Sequence, residues 1–236
     1  MPVLAQILQR PDVWRGDALA AAPLPGLASG FAELDAELPG HGWPRSGLTE
    51  MLVEQSGIGE LALLLPMLAR LSADELAWLI FVAPPHLLHA PALEDGGVDL
   101  SRLLIVGSPG RDAAWACERA LEADGIGVVV AWLPEARPTQ LRRLQLAAEN
   151  HHTLLCAFRP AAAAIQASPA PLRLALSGDH DRLQIRILKR RGQPLDRPLA
   201  LDIARPCPAP RSQPAGHALA RPAFSPTAAR SARQTA

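Results

Sequence analysis

The sequence predicts an α/β fold, a mostly parallel central sheet flanked by helices and closed by an antiparallel hairpin. Three observations carry that prediction. Five short apolar runs alternate with stretches of helical periodicity, as in a parallel sheet buried on both faces. The first run passes through a short Gly-containing turn into an apolar helix, in "LTEMLVEQSGIGELALLLPMLARL" (48–71). Two alternating segments joined near Gly178-Asp179 then follow in "PLRLALSGDHDRLQIRILKRRG" (171–192).

The first 20 residues have the pattern of an amphipathic helix broken at Pro11, with Val3, Leu4, Ile7 and Leu8 on its apolar side. "AAAPLPGLASG" (20–30) reads as a linker, because Pro23 and Pro25 oppose regular structure. Strands are predicted at 48–54, 77–83, 103–107, 127–133 and 153–158, with helices at 59–72, 111–123 and 138–149. Pro138 suits the first turn of the last helix, and Leu141, Leu144 and Ala148 recur at helical spacing. From about Pro206 the chain is rich in Pro, Ala, Arg and Ser without periodicity, and is expected to be disordered. The expected organisation is an N-terminal arm and linker (1–26), a core domain (27–203) and a tail (204–236).

The 236 residues are 49% hydrophobic, enough for one sizeable core. No apolar run is long enough for a membrane span, and the N-terminus lacks the basic start and apolar core of a signal peptide, so a cytoplasmic protein is expected. Cys117, Cys156 and Cys207 show neither CxxC nor zinc spacing and are expected as reduced thiols. The formal charge is zero but unevenly spread: residues 204–236 hold five arginines and no acid. Of the 23 basic residues only Lys189 is lysine.

That count bears on the turn at 54–61, which has the outline of a phosphate-binding loop. Such a loop needs glycines to wrap the phosphates, a lysine for their charge and a hydroxyl for Mg²⁺. Here Glu54 stands at the first glycine, Gly57 and Gly59 remain, Glu60 stands at the lysine and Leu61 at the hydroxyl. A carboxylate facing phosphate turns attraction into repulsion. The strand at 127–133 ends in Trp132-Leu133 where a Mg²⁺-organising acid belongs, and Pro84-Pro85 occupies the position of a general base. A non-enzymatic protein without bound cofactor or metal is therefore expected, with Gly59 kept for close packing.

Other candidates concern contacts. In "RLQIRILKRRGQPLDR" (182–197), Leu183, Ile185 and Ile187 would face the core and Arg186 outward, with Lys189, Arg190 and Arg191 clustered at the strand end. These cations are either a solvated strand end or a contact for phosphate of DNA or of a neighbouring subunit's nucleotide. Trp14 is either a core residue or an anchor into a neighbour, which would include self-association. Arg205 and Arg211 in the tail suit single-stranded DNA or an acidic partner. His86, His89, His151 and His152 lack partners at ligand spacing, and "ELDAE" (33–37) is a solvated helix face or an acid/base pair.

The stretch from Leu27 through the hairpin resembles a RecA-type core. Ser29-Gly30, Leu34-Asp35, Gly40-His41-Gly42-Trp43-Pro44 and Gly47 fall in step with that family's opening pattern, and Val128–Trp132 is similar to its Walker B strand without the acid. Within the superfamily the chain resembles ImuA, a family grouped beside the SulA cell-division inhibitors. The resemblance is carried by "DVWRG" (12–16), "LPGHGWPRSGLTEML" (38–52), "GIGELALLLP" (57–66), "APPHLLHAPAL" (83–93) and "LKRRG" (188–192). The family tends to an unbroken glycine run where this chain has Gly40-His41-Gly42. The resemblance implies a place in SOS-induced error-prone translesion synthesis, with ImuB, an error-prone C-family DNA polymerase and RecA as partners. The SulA side of it implies the alternative, an SOS cell-division inhibitor acting on FtsZ.

Overall fold

The computed structural model describes residues 25–107, 110, 112–179, 182–192 and 194–203. Every described residue lies within the unit that ends at Arg205. Trp14, Arg205, Arg211, the N-terminal amphipathic stretch and the tail lie outside the described residues. No helix among those described is long and apolar enough to cross a membrane.

Among the described residues sixteen elements follow one another, eight of them strands. Helix α1 (Ala32–Glu37) precedes β1 (Gly47–Val53), which leads through the 54–64 turns to α2 (Leu65–Ala69) and a π-type turn, Arg70–Asp74. Then come β2 (Trp78–Val82), α3 (Ala90–Asp95), a 3-10 turn (Leu100–Arg102), β3 (Leu103–Val106), α4 (Asp112–Leu121) and β4 (Ile126–Trp132). They are followed by α5 (Pro138–Asn150), β5 (Leu154–Pro160), a second 3-10 turn (Ala161–Ile165), β6 (Leu172–Asp179), β7 (Arg182–Lys189) and β8 (Leu199–Asp202).

The strands form one eight-stranded sheet in the order β3-β2-β4-β5-β1-β6-β7-β8. Pairings from β3 across to β6 are parallel, and only β6–β7 and β7–β8 are antiparallel. The mostly parallel α/β expectation therefore holds, with one correction. The hairpin does not close the sheet, because β8 pairs with β7 and continues it. Leu199 and Leu201 are buried there, an alternation short enough to be overlooked after a Pro-containing loop.

Alternation within each strand divides the core in two. Met51, Phe81, Val128, Val130, Cys156 and Leu174 face the side covered by α2. Leu48, Ile80, Val129, Ala131, Leu155 and Ala157 face α4 and α5. Each central strand is thus apolar on both sides, which is why it reads as a continuous run rather than an alternation.

The predicted helix at 59–72 is the second correction: residues 54–64 are turns, and regular helix begins only at Leu65. Pro66, in the first helical turn, has no N–H for a carbonyl four residues back and so fits only there. Helix α3 was not predicted, and α1 fits the helix-face reading of 33–37; each is six residues long, too short to show a period. The Gly40-His41-Gly42 turn forms with His41 itself left-handed at φ 55. Gly42 is required by proximity, since a Cβ there would sit 2.3 Å from the carbonyl oxygen of Leu27. That contact belongs to a backbone bridge between Leu27 and Trp43, which buries the Trp43 ring.

Candidate functional site

The turn after β1 keeps the outline of a phosphate loop and fills it from within. Gly57 and Gly59 are left-handed, at φ 87 and φ 98. That backbone turns the Gly57 N–H towards the Glu60 carboxylate, which accepts it at 3.0 and 3.1 Å through its two oxygens. Glu60 is buried by this contact. In a working loop such N–H groups meet the anion of the ligand; here they meet an anion of the chain. Close packing is not what Gly59 provides: a Cβ there would meet only Ile203, at an ordinary 3.7 Å. Its left-handed φ is the physical requirement. Leu61 packs against the core and Glu54 is exposed.

Above the turn, a cavity of about 610 Å³ opens at the C-terminal ends of β1, β2, β4 and β5. Trp132 forms one wall, stacked on Phe158 with centroids 5.2 Å apart and tilted against Phe81 at 6.0 Å. Pro84, Pro85, Pro134 and Pro160 contribute much of the rest. Ala83, on the rim, is left-handed at φ 52 although a proline follows it, a strained conformation anchored by its N–H donating to Val106 O. The lining carries a carboxylate, Glu54, and a guanidinium, Arg159, and no lysine. Arg159 is not turned to a ligand, because its Nη atoms are taken up by Glu50, Ala136 O and Gln166. Among the described residues the chemistry on offer is apolar and aromatic contact, with no cation placed for a phosphate.

The most heavily buried charges lie in the sheet just below. Glu50 on β1 accepts from Arg159 Nη1 on β5 and from Arg173 Nε on β6, each at 2.7 Å. Arg173 also donates to the carbonyls of Ala163 and Ala164, which solvate its remaining N–H groups. Sequence reading passed over this trio, although the signal was present. A glutamate inside the doubly buried run "LTEMLV" requires a cation.

The predicted cation cluster after β7 is not one cluster. Arg190 turns to α1, donating to both the backbone carbonyl and the carboxylate of Glu37, the latter at 2.9 Å. Arg197 reaches the same carboxylate at 2.8 Å. Hydrogen bonding from Arg190 is the main reason the Glu37 carboxyl is held below the ordinary carboxylate range. Lys189 donates to Ser168 O at 3.1 Å. Arg186 and Arg191 remain exposed, and among the described residues neither has an acidic partner. Within 33–37, Asp35 accepts the Ser29 N–H, so those acids brace the chain rather than form an acid/base pair.

No group of three metal-ligating side chains occurs among the described residues. Cys117 and Cys156 are buried and unbridged, and burial pushes the Cys117 thiol up to about 12 and that of Cys156 also upward.

Residues 37–163 match the family described as the MT3502 N-terminal domain. The chain is similar to the cell division inhibitor SulA of Photorhabdus laumondii subsp. laumondii, 32% identical over 119 residues, which are 50% of this chain and 67% of that protein. The crystal structure of SulA from Pseudomonas aeruginosa aligns with a TM-score of 0.41 and 27% identity, over 48% of this chain and 97% of that one.

Proposed function

The chain belongs to the MT3502 N-terminal domain family, and from that premise we propose that it is a non-enzymatic, SulA-like inhibitor of cell division, acting in the cytoplasm on the assembly of FtsZ. The relationship to the cell division inhibitor SulA over two thirds of that protein carries this reading. The loop supports the non-enzymatic part: Glu60 fills the anion position, and Trp132 stands where a metal-organising acid would be. What the matched segment offers instead is a protein-binding edge, the aromatic and proline-lined cavity at the strand ends. Such walls suit an apolar side chain of a partner rather than a triphosphate.

Expression in dividing bacteria without DNA damage tests the proposal directly. Filamentation relieved by excess FtsZ, together with slower assembly of purified FtsZ in light scattering, is the expected result. Cells of normal length, with FtsZ assembly unaffected by the purified protein, would overturn it.

A second reading is favoured by a separate observation. The family match ends at residue 163, yet the sheet continues through β6, β7 and β8. The RecA- and ImuA-like features at 188–192 lie in that extension. On this reading the protein is an accessory factor of SOS-induced translesion synthesis, joined to ImuB, RecA and an error-prone C-family DNA polymerase. Reconstitution with those three proteins and cross-linking decides it: the expected adducts fall in 164–203, and an absence of adducts with any of the three rejects it.

A further inference from the structure

Among the described residues, one section of the sheet is covered on only one side. In the antiparallel part, Leu183, Ile185, Ile187, Leu199 and Leu201 are buried in the core. Their neighbours in sequence point the other way. Register sets Ala175 opposite Arg186, Ser177 opposite Gln184 and Gln184 opposite Ala200, so these side chains share one outer face. Arg186 is exposed on it, and Ala175, Ser177, Gln184 and Ala200 are only partly covered. Ile165 borders this face, 95% exposed at the end of the second 3-10 turn. That turn is fixed over β6 by Arg173, which donates to Ala163 O and Ala164 O. Leu188, 39% exposed, stands at the irregularity in the β6–β7 pairing.

We propose that this outer face of β6–β7–β8 is a docking surface for an acidic protein segment that also carries apolar side chains. Its charge is complementary to such a segment. Arg186 on the face and Arg191 just beyond it have no acidic partner among the described residues, and Lys189 uses its ammonium only on a carbonyl. Ile165 and Leu188 flank the cations with apolar surface, and small residues between them keep the face flat enough for close approach. A nucleic acid strand fits less well, because single strands are held by stacking on aromatic rings, and no residue named on this face is aromatic. Asp202 on the same face is already answered by Arg182 at 2.7 Å. The surface lies outside residues 37–163, so the assignment stands whichever reading of the function is correct.

The test uses the full chain and a short fluorescein-labelled peptide alternating Glu and Leu, followed by anisotropy. Comparators are the same peptide with Lys for Glu and a single-stranded oligo-thymidine. The acidic peptide alone should bind, weakening as salt is raised. Arg186→Glu and Ile165→Asp should each weaken it about tenfold or more, while Leu87→Asp, on a distant exposed loop residue, leaves it unchanged. Hydrogen exchange should show protection of 172–189 on binding. Failure of the acidic peptide to bind, equal binding of the basic one, preference for the oligonucleotide, or indifference to both variants in folded protein would each overturn the proposal.

Discussion

Among the described residues two carboxylates each hold two guanidiniums, Glu50 inside the sheet and Glu37 at its edge. Glu50 is fully buried with Arg159 and Arg173 side chains only 2% and 9% exposed. Glu37 is 18% exposed, and its partners Arg190 and Arg197 are 14% and 69% exposed. The stoichiometry is the same and the consequences differ. At Glu50, removing the carboxylate strands two desolvated cations. At Glu37, water and salt can replace much of what is lost. Glu60 is a third arrangement, a buried carboxylate answered by a backbone N–H rather than by a cation. A charge count alone would not separate the three.

The largest effect should come from the buried trio. Glu50→Ala is expected to destabilise the fold by about 3–5 kcal/mol, read as a lowered urea midpoint. Replacing Glu50, Arg159 and Arg173 together by apolar residues of similar size should recover most of that loss. If the single variant costs no more than its counterpart at Glu37, the contrast between the two trios is broken.

Glu60→Ala comes next, because it leaves the Gly57 N–H without its charged acceptor; a loss of about 1–2 kcal/mol is expected, with Glu60→Gln milder. Glu37→Ala should cost about 0.2–1 kcal/mol and become milder still in high salt. Its pH dependence has a definite sign. Because the folded carboxyl titrates below its unfolded value, the contribution of Glu37 is present above the unfolded pKa and lost as pH falls through the folded one. Acid titration of stability should therefore be flatter in Glu37→Gln than in the parent protein.

The smallest expected effect concerns chemistry rather than stability. Glu60→Lys supplies the missing cation, yet Glu54, Leu61 and Trp132 remain, so phosphate release from ATP should stay at background. Turnover from that single change would show that the charge at one position had been the only obstacle.

Much of the sheet was legible because doubly buried strands must be apolar over their whole length; β4, predicted at 127–133, runs from Ile126 to Trp132. Elements too short to show a period were not legible, as α3 and β8 illustrate. At the candidate site, the loss of lysine, hydroxyl and acid could be read from residue identities alone. The direction in which Glu60 turns could not, since it follows from a left-handed glycine three residues earlier. Arg190 was grouped with Lys189 and Arg191 by adjacency; only the approach of α1 to the end of the sheet separates them.

The sequence by itself determined the layered α/β class, the position of the turn after β1 and the absence of phosphate-binding side chains there, because periodicity and residue chemistry are local properties. The tertiary structure decided which charges are partners. Glu50 meets Arg159 and Arg173 from positions more than a hundred residues away, with separations of 109 and 123. No local pattern encodes which of 22 arginines a buried carboxylate will meet; strand order and register do.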